Sequence, residues 1–218
     1  MWEFILGGIG IFSGFLSIFA LWIGVCKKLK TELEIFKEGT YFYKEFQSDY
    51  KQFNKVFNQF CKDESKLVKM EIRKQNCRYL VLYFDNPYKI LNPNEYRFTI
   101  GYYYDNKEIN PEVKSFLLSK GCQESKLPQV NILLVKFPIK FWPISSIVGP
   151  IRSFKTLFAE LYANPKKYLF ESNFKKGAII CLFSPNQATY AFPYPDSEGF
   201  YITKIPMPPY KTDKPKTD

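Results

Sequence analysis

The chain has 218 residues, 46% of them hydrophobic, with 31 Lys and Arg against 21 Asp and Glu, a formal net charge of +10 and no His. That length suits one domain with appendages, and the apolar content excludes a chain disordered throughout. The positive charge comes from 27 Lys and 4 Arg spread along the sequence without an Arg-rich block, which argues against nucleic acid as a partner.

From Phe4 to Val25 there are 22 residues without a charge. As a helix they span roughly 33 Å, against a hydrocarbon core of ~30 Å, so residues 1–26 are predicted to be a transmembrane signal anchor. A cleaved signal peptide would start on basic residues and carry a shorter apolar stretch. Lys27, Lys28 and Lys30 follow the span directly and Glu3 is the one charge ahead of it. The positive-inside bias therefore places the following domain in the cytosol and the N-terminus in the lumen or exterior. Gly10 and Gly14 have the GxxxG spacing that lets two such helices approach closely. Cys26 falls at the cytosolic membrane edge, where S-palmitoylation is chemically accessible. The five Cys contain no Cys-x-x-Cys pair, and no Asn-x-Ser/Thr sequon occurs. Both fit a domain whose thiols stay reduced, with no cofactor or metal indicated.

Residues 27–39 read as a juxtamembrane segment and first strand, and residues 40–48 as a β-prone stretch. Phe53, Val56, Phe57 and Phe60 then recur at i, i+3, i+4 and i+7, one face of a helix. In "LVLYFDNPYKILNPNEYRFTIGYYYD", residues 80–105, an apolar run stops at Asp85-Asn86-Pro87. The chain resumes with Tyr96, Phe98, Ile100 and Tyr102 in alternation. Two strands joined by a polar loop have this pattern, with Asp85 supplying turn chemistry. Asn110 is placed to cap a short helix beginning at Pro111 and stopped by Gly121.

The second half repeats the order. Residues 129–139 are predicted to be a strand. Ile151, Phe154, Leu157, Phe158 and Leu161 mark the buried face of a long helix ended by Asn164-Pro165. Residues 167–174 and 178–184 are predicted to form a hairpin about Lys175-Lys176-Gly177. Two strand-helix-strand-strand repeats, 40–104 and 129–183, complete one core if related by a pseudo-twofold axis. That predicts an α+β domain of one antiparallel sheet and two long helices, with a groove between the repeats.

The stretch Tyr83-Phe84-Asp85-Asn86-Pro87, followed by a Pro-containing loop and the strand Arg97-Phe98-Thr99-Ile100-Gly101, resembles the signature of GyrI-like (SOUL-related) ligand-binding domains. In "YLFESNF" Glu171 stands where the family has a strand glutamate, with Asn173 where Tyr is usual. With one membrane helix ahead, residues 1–205 resemble the testis-expressed protein 264 family of endoplasmic-reticulum reticulophagy receptors. The resemblance implies a GyrI-like domain over 40–205, anchored at the endoplasmic reticulum. It also implies a ligand or protein partner in the inter-repeat groove. Receptors of that family carry an aromatic-x-x-aliphatic docking motif in an acidic tail. Here residues 206–218 are a Pro- and Lys-rich tail, predicted to be disordered, with Asp213 three places after Tyr210.

The absence of His excludes Ser-His-Asp and Cys-His nucleophile systems and imidazole metal ligands. Tyr83, Tyr102, Trp142 and Glu171 are the candidate groove residues for a small apolar ligand or a protein partner. Core packing is the competing role for the three aromatics. The alternative function is a hydrolase acting on a small molecule through the carboxylate of Glu171 or Glu160.

Overall fold

The computed structural model of the chain describes residues 28–62, 64, 66–74, 77–85, 90–105, 108–139, 142–168, 178–194 and 198–210, with backbone alone at 67 and 142–147. The predicted membrane anchor, including Cys26 and Lys27, lies outside them. So do Asn86, Pro87, Glu171, the Lys175-Lys176-Gly177 turn and the tail beyond Tyr210. No helix among the described residues is long and apolar enough to cross a membrane.

The chain folds as an α+β domain. Its strands are β1 (Thr31–Phe36), β2 (Gly39–Gln47), β3 (Cys77–Tyr83), β4 (Arg97–Tyr104), β5 (Gln123–Leu127), β6 (Val130–Pro138), β7 (Ile179–Ser184) and β8 (Gln187–Tyr194). The helices are α1 (Phe53–Lys62), α2 (Lys66–Arg73), α3 (Pro111–Ser119), α4 (Trp142–Ala163) and the single turn α5 (Pro165–Tyr168). All eight strands form one antiparallel sheet in the order β1-β6-β8-β7-β3-β4-β2-β5.

That order carries the repeat. β2-α1-α2-β3-β4 and β6-α4-α5-β7-β8 each contribute three strands, in the spatial orders β2-β4-β3 and β6-β8-β7. The two trios meet where β3 pairs with β7, with Val81 opposite Cys181 at the middle of the register. Two details differ from the sequence expectation. The first repeat has two short helices where one long helix was expected. In the second, Lys167 and Tyr168 are helical, and the hairpin partner of β7 is β8, joined through Pro185 and Asn186. The second unit therefore runs on to Tyr194. Pro193 disguised β8, since proline removes a ladder donor. It lies beyond the end of the β7 ladder at Ala191, opposite Ile132 of β6.

The sheet is rolled, and the short connections require it. β1 and β2 lie six strand positions apart, yet only Lys37 and Glu38 join them; β5 and β6 are likewise six positions apart and joined by Pro128 and Gln129. Three peptide units reach at most about 11 Å, whereas six spacings in a flat sheet would measure roughly 29 Å. Curling brings the edges together around Tyr41, Tyr43, Leu80, Leu82, Tyr103 and Ile180, all buried. Phe36 and Phe200 plug the interior, their rings 5.2 Å apart. The Tyr41 hydroxyl donates to the Leu80 carbonyl at 2.9 Å, so the polar group inside the roll is satisfied.

Helices cover the outer face. The predicted α1 face is confirmed: Phe53 meets Phe98 at 5.5 Å, Phe57 meets Tyr79 at 5.5 Å and Phe60 meets Tyr102 at 5.2 Å. On α4, Leu157 and Leu161 are buried against Leu133, Val135 and Phe192. Ile151, expected on that face, is 64% exposed, because ten residues at 3.6 per turn place it ~80° round the helix from Leu161. The expected cap of α3 is present: the Asn110 side chain accepts the Glu112 amide at 2.9 Å, and Gly121 ends the helix at φ 79°.

Candidate functional site

The signature residues form a structural staple. The Asp85 carboxylate accepts the Arg97 backbone amide at 3.0 Å and the guanidinium through Nε at 2.9 Å and Nη2 at 2.7 Å. Asp85 was expected to make a local turn bond; its backbone partner is instead the Arg97 amide on the facing strand, with a bidentate ion pair added. Both residues are almost wholly inaccessible, at 3% and 1%. Burial opposes the guanidinium charge, but the hydrogen bonds and charge of Asp85 outweigh it and hold the Arg97 pKa above its ordinary value. Phe84 faces the interior of the roll, 5.5 Å from the ring of Tyr201.

A C-terminal strap closes on this pair. Arg97 Nη1 donates to the Ile205 carbonyl at 2.7 Å, the Tyr210 hydroxyl donates to Asp85 Oδ1 at 2.9 Å, and the Leu91 amide donates to the Pro209 carbonyl at 3.0 Å. Glu45 holds the strap farther up, accepting the Thr203 hydroxyl at 2.8 Å and the Lys204 amide at 2.9 Å. Residues 206–210, expected to belong to the disordered tail, are therefore fastened to the domain as far as Tyr210.

The groove candidates separate. Tyr83 lies between α1 and α4 in the inter-repeat region, with Phe53 at 5.5 Å, Tyr96 at 6.0 Å and Phe154 at 6.3 Å. These rings fill the space about it, and burial raises its pKa well above the phenol range. Tyr102 is at the other end of the β3–β4 ladder, opposite Tyr79, whereas Tyr83 is opposite Phe98. Trp142 opens α4, where the backbone alone is described. Glu160 accepts the Tyr168 hydroxyl at 3.2 Å and the Asn164 side-chain amide at 3.0 Å, tying α4 to α5.

Sequence reasoning missed Glu64, which has no periodic neighbours to flag it. It lies between α1 and α2, and its Oε1 accepts the Tyr102 hydroxyl at 3.0 Å and also the Tyr79 hydroxyl. Beside it, burial and then the Glu64 charge push the Cys61 thiol up to about 12. Cys61 therefore stays protonated at neutral pH and is a poor nucleophile.

Tyr102 also floors an open groove of about 370 Å³ between α1 and α3, over β2 and β4. Phe46, Phe60 and Phe116 complete its apolar surface, and Lys44, Lys55 and Lys120 stand round it. The floor is backed by other rings: Phe46 stacks on Phe98 at 5.6 Å, and Phe60 packs on Tyr102. Half-exposed Val56 and Phe60 come from the part of the α1 apolar face that overhangs the sheet.

No protein-family model and no curated protein matches the chain. Among solved structures, the C-terminal domain of EcmrR is similar at 12% identity and a TM-score of 0.45, covering 76% of this chain and 96% of that one. An integron cassette protein from the mobile metagenome of Vibrio cholerae is similar at 11% identity and a TM-score of 0.42, covering 76% and 97%. SAV2435 bound to tetraphenylphosphonium is similar at 7% identity and a TM-score of 0.38, covering 75% and 93%. The resemblance to reticulophagy receptors rests on the sequence alone, on the signature and the apolar segment ahead of it.

Proposed function

We propose that this chain is a binding protein of the GyrI-like kind, held at the endoplasmic-reticulum membrane by its N-terminal apolar segment, with its domain in the cytosol. Its role is that of a reticulophagy-type adaptor and not of an enzyme. The observation that carries the binding reading is the open groove of about 370 Å³ with its aromatic floor between α1 and α3. Its volume falls within the ~300–1,000 Å³ range of small-molecule sites, and it leaves Phe46, Phe60 and Phe116 only partly buried. The anchor reading is supported by the 22 uncharged residues ahead of Lys27, Lys28 and Lys30.

A photoactivatable neutral probe, dodecanol bearing a diazirine, tests the groove on the full chain in phospholipid nanodiscs. Saturable labelling of peptides from α1 and α3 is expected, falling at least about tenfold in Phe60→Asp, since a carboxylate in the groove must be desolvated when an apolar ligand covers it. Labelling that does not saturate, or that Phe60→Asp leaves intact, would overturn the binding reading. For the anchor, protease added to sealed microsomes should digest a tag placed after Asp218. Protection of that tag would put the domain on the wrong side of the membrane.

A further inference from the structure

Within that groove, whose reading as a ligand site this inference requires, charge and shape select one class of ligand. The lining contains three lysines, Lys44, Lys55 and Lys120, and no Asp or Glu. Among the described residues none of these ammonium groups pairs with a carboxylate; Lys120 lies over the Phe116 ring at 5.7 Å instead. They also come from three separate elements: Lys44 from β2, Lys55 from α1 and Lys120 from the C-terminal end of α3. Positive charge therefore surrounds the apolar floor on more than one side. Glu64, which bonds the floor residue Tyr102, is not part of the lining; its Oε1 is occupied by Tyr79 and Tyr102, and Glu124 beyond the lining is paired with Lys114.

We infer that the groove binds a free fatty acid, its acyl chain on Phe46, Phe60, Tyr102 and Phe116 and its carboxylate among the three lysines. A cation of the same size would meet three like charges and find no counter-charge in the lining. A diacyl phospholipid is too large: about 370 Å³ is near the lower limit of small-molecule sites and has room for one chain. An amphiphile of this kind partitions into bilayers, and the 22-residue apolar segment of this chain ends only a few residues before β1. Ligand would thus be concentrated at the membrane to which this segment holds the domain.

The test uses the full chain in phospholipid nanodiscs with two diazirine probes of equal chain length, dodecanoate and dodecylamine. The lysines are at the rim and partly screened by solvent, so the expected preference is moderate, with dodecanoate labelling the α1 and α3 peptides at least about tenfold more than dodecylamine. Excess unlabelled dodecanoate should compete, and excess unlabelled diacyl phosphatidic acid should not. Lys44→Glu with Lys120→Glu should reverse the preference, while an unchanged far-ultraviolet dichroism melt shows the variant folded. If dodecanol labels the groove but dodecylamine does as well as dodecanoate, the groove is a ligand site and the fatty-acid assignment is wrong. Competition by phosphatidic acid would likewise overturn the assignment in favour of a membrane lipid. If none of the probes labels saturably, both the inference and the binding reading fail.

Discussion

Arg97→Leu is expected to remove about 3–5 kcal/mol of stability, because it strands the buried Asp85 carboxylate without its counter-charge. For a domain of ordinary stability, about 5–15 kcal/mol, that is a large share. Asp85 is 3% exposed and cannot recover solvation without opening the fold. The loss is not confined to the pair, since Arg97 also donates to the Ile205 carbonyl of the strap. Urea unfolding of a chain beginning at Lys28 measures it. Changing both residues, Asp85→Leu with Arg97→Leu, should recover only part of the loss. The buried charge would be gone, but the residue-97 amide would lose its acceptor Asp85 Oδ2 and the Tyr210 hydroxyl its acceptor Asp85 Oδ1. Full recovery in the double variant, or a loss under about 1 kcal/mol in Arg97→Leu, would contradict the assignment of this pair as the staple of the hairpin.

Gly101→Ala should abolish cooperative folding. A Cβ at Gly101 would lie 2.0 Å from the Phe42 carbonyl oxygen and 2.7 Å from the Tyr43 Cα, both backbone atoms of β2. No side-chain rotation relieves that contact. β2 would have to move away from β4 across a register that runs from Thr40↔Tyr104 to Gln47↔Arg97. Overpacking in a core commonly costs about 1–3 kcal/mol when side chains can yield, and here the obstacle is main chain. Gly149→Ala is the control. The nearest atoms to its Cβ would be those of the Phe137 ring, at 3.0 Å, which can shift, and alanine is worth up to about 1 kcal/mol over glycine within a helix. The control should melt within a few degrees of the parent, while Gly101→Ala shows no cooperative transition. A cooperative melt for Gly101→Ala would show that β2 and β4 can separate by more than the observed packing allows.

What the sequence determined by itself was whatever is decided over a few neighbouring residues. Asn110, Pro111 and Gly121 set both ends of α3, since a cap, a preset φ and a left-handed stop act within one turn. Alternation at Tyr96, Phe98, Ile100 and Tyr102 marked β4, and the i, i+3, i+4, i+7 spacing marked α1, because period alone places a side chain on a face. The twice-repeated strand-helix-strand-strand order was legible for the same reason, although the last hairpin was expected one strand too early, at 167–184 instead of β7 and β8. β5 was not: Gln123–Leu127 is polar, alternately exposed and at the sheet edge, so its pairing with β2 decides that it is a strand at all. Only the tertiary structure showed that the sheet must roll, because two-residue connections became restrictive once β1 and β2 were known to be six positions apart. Only it showed that Asp85 and Arg97 hold each other and the strap, and that Glu64 lies between two tyrosines. Separating Tyr83 from Tyr102 also required the register of β3 on β4. The groove belongs to the same class: Lys44, Lys55 and Lys120 are scattered in a Lys-rich sequence, and their common location depends on contacts that no local pattern encodes.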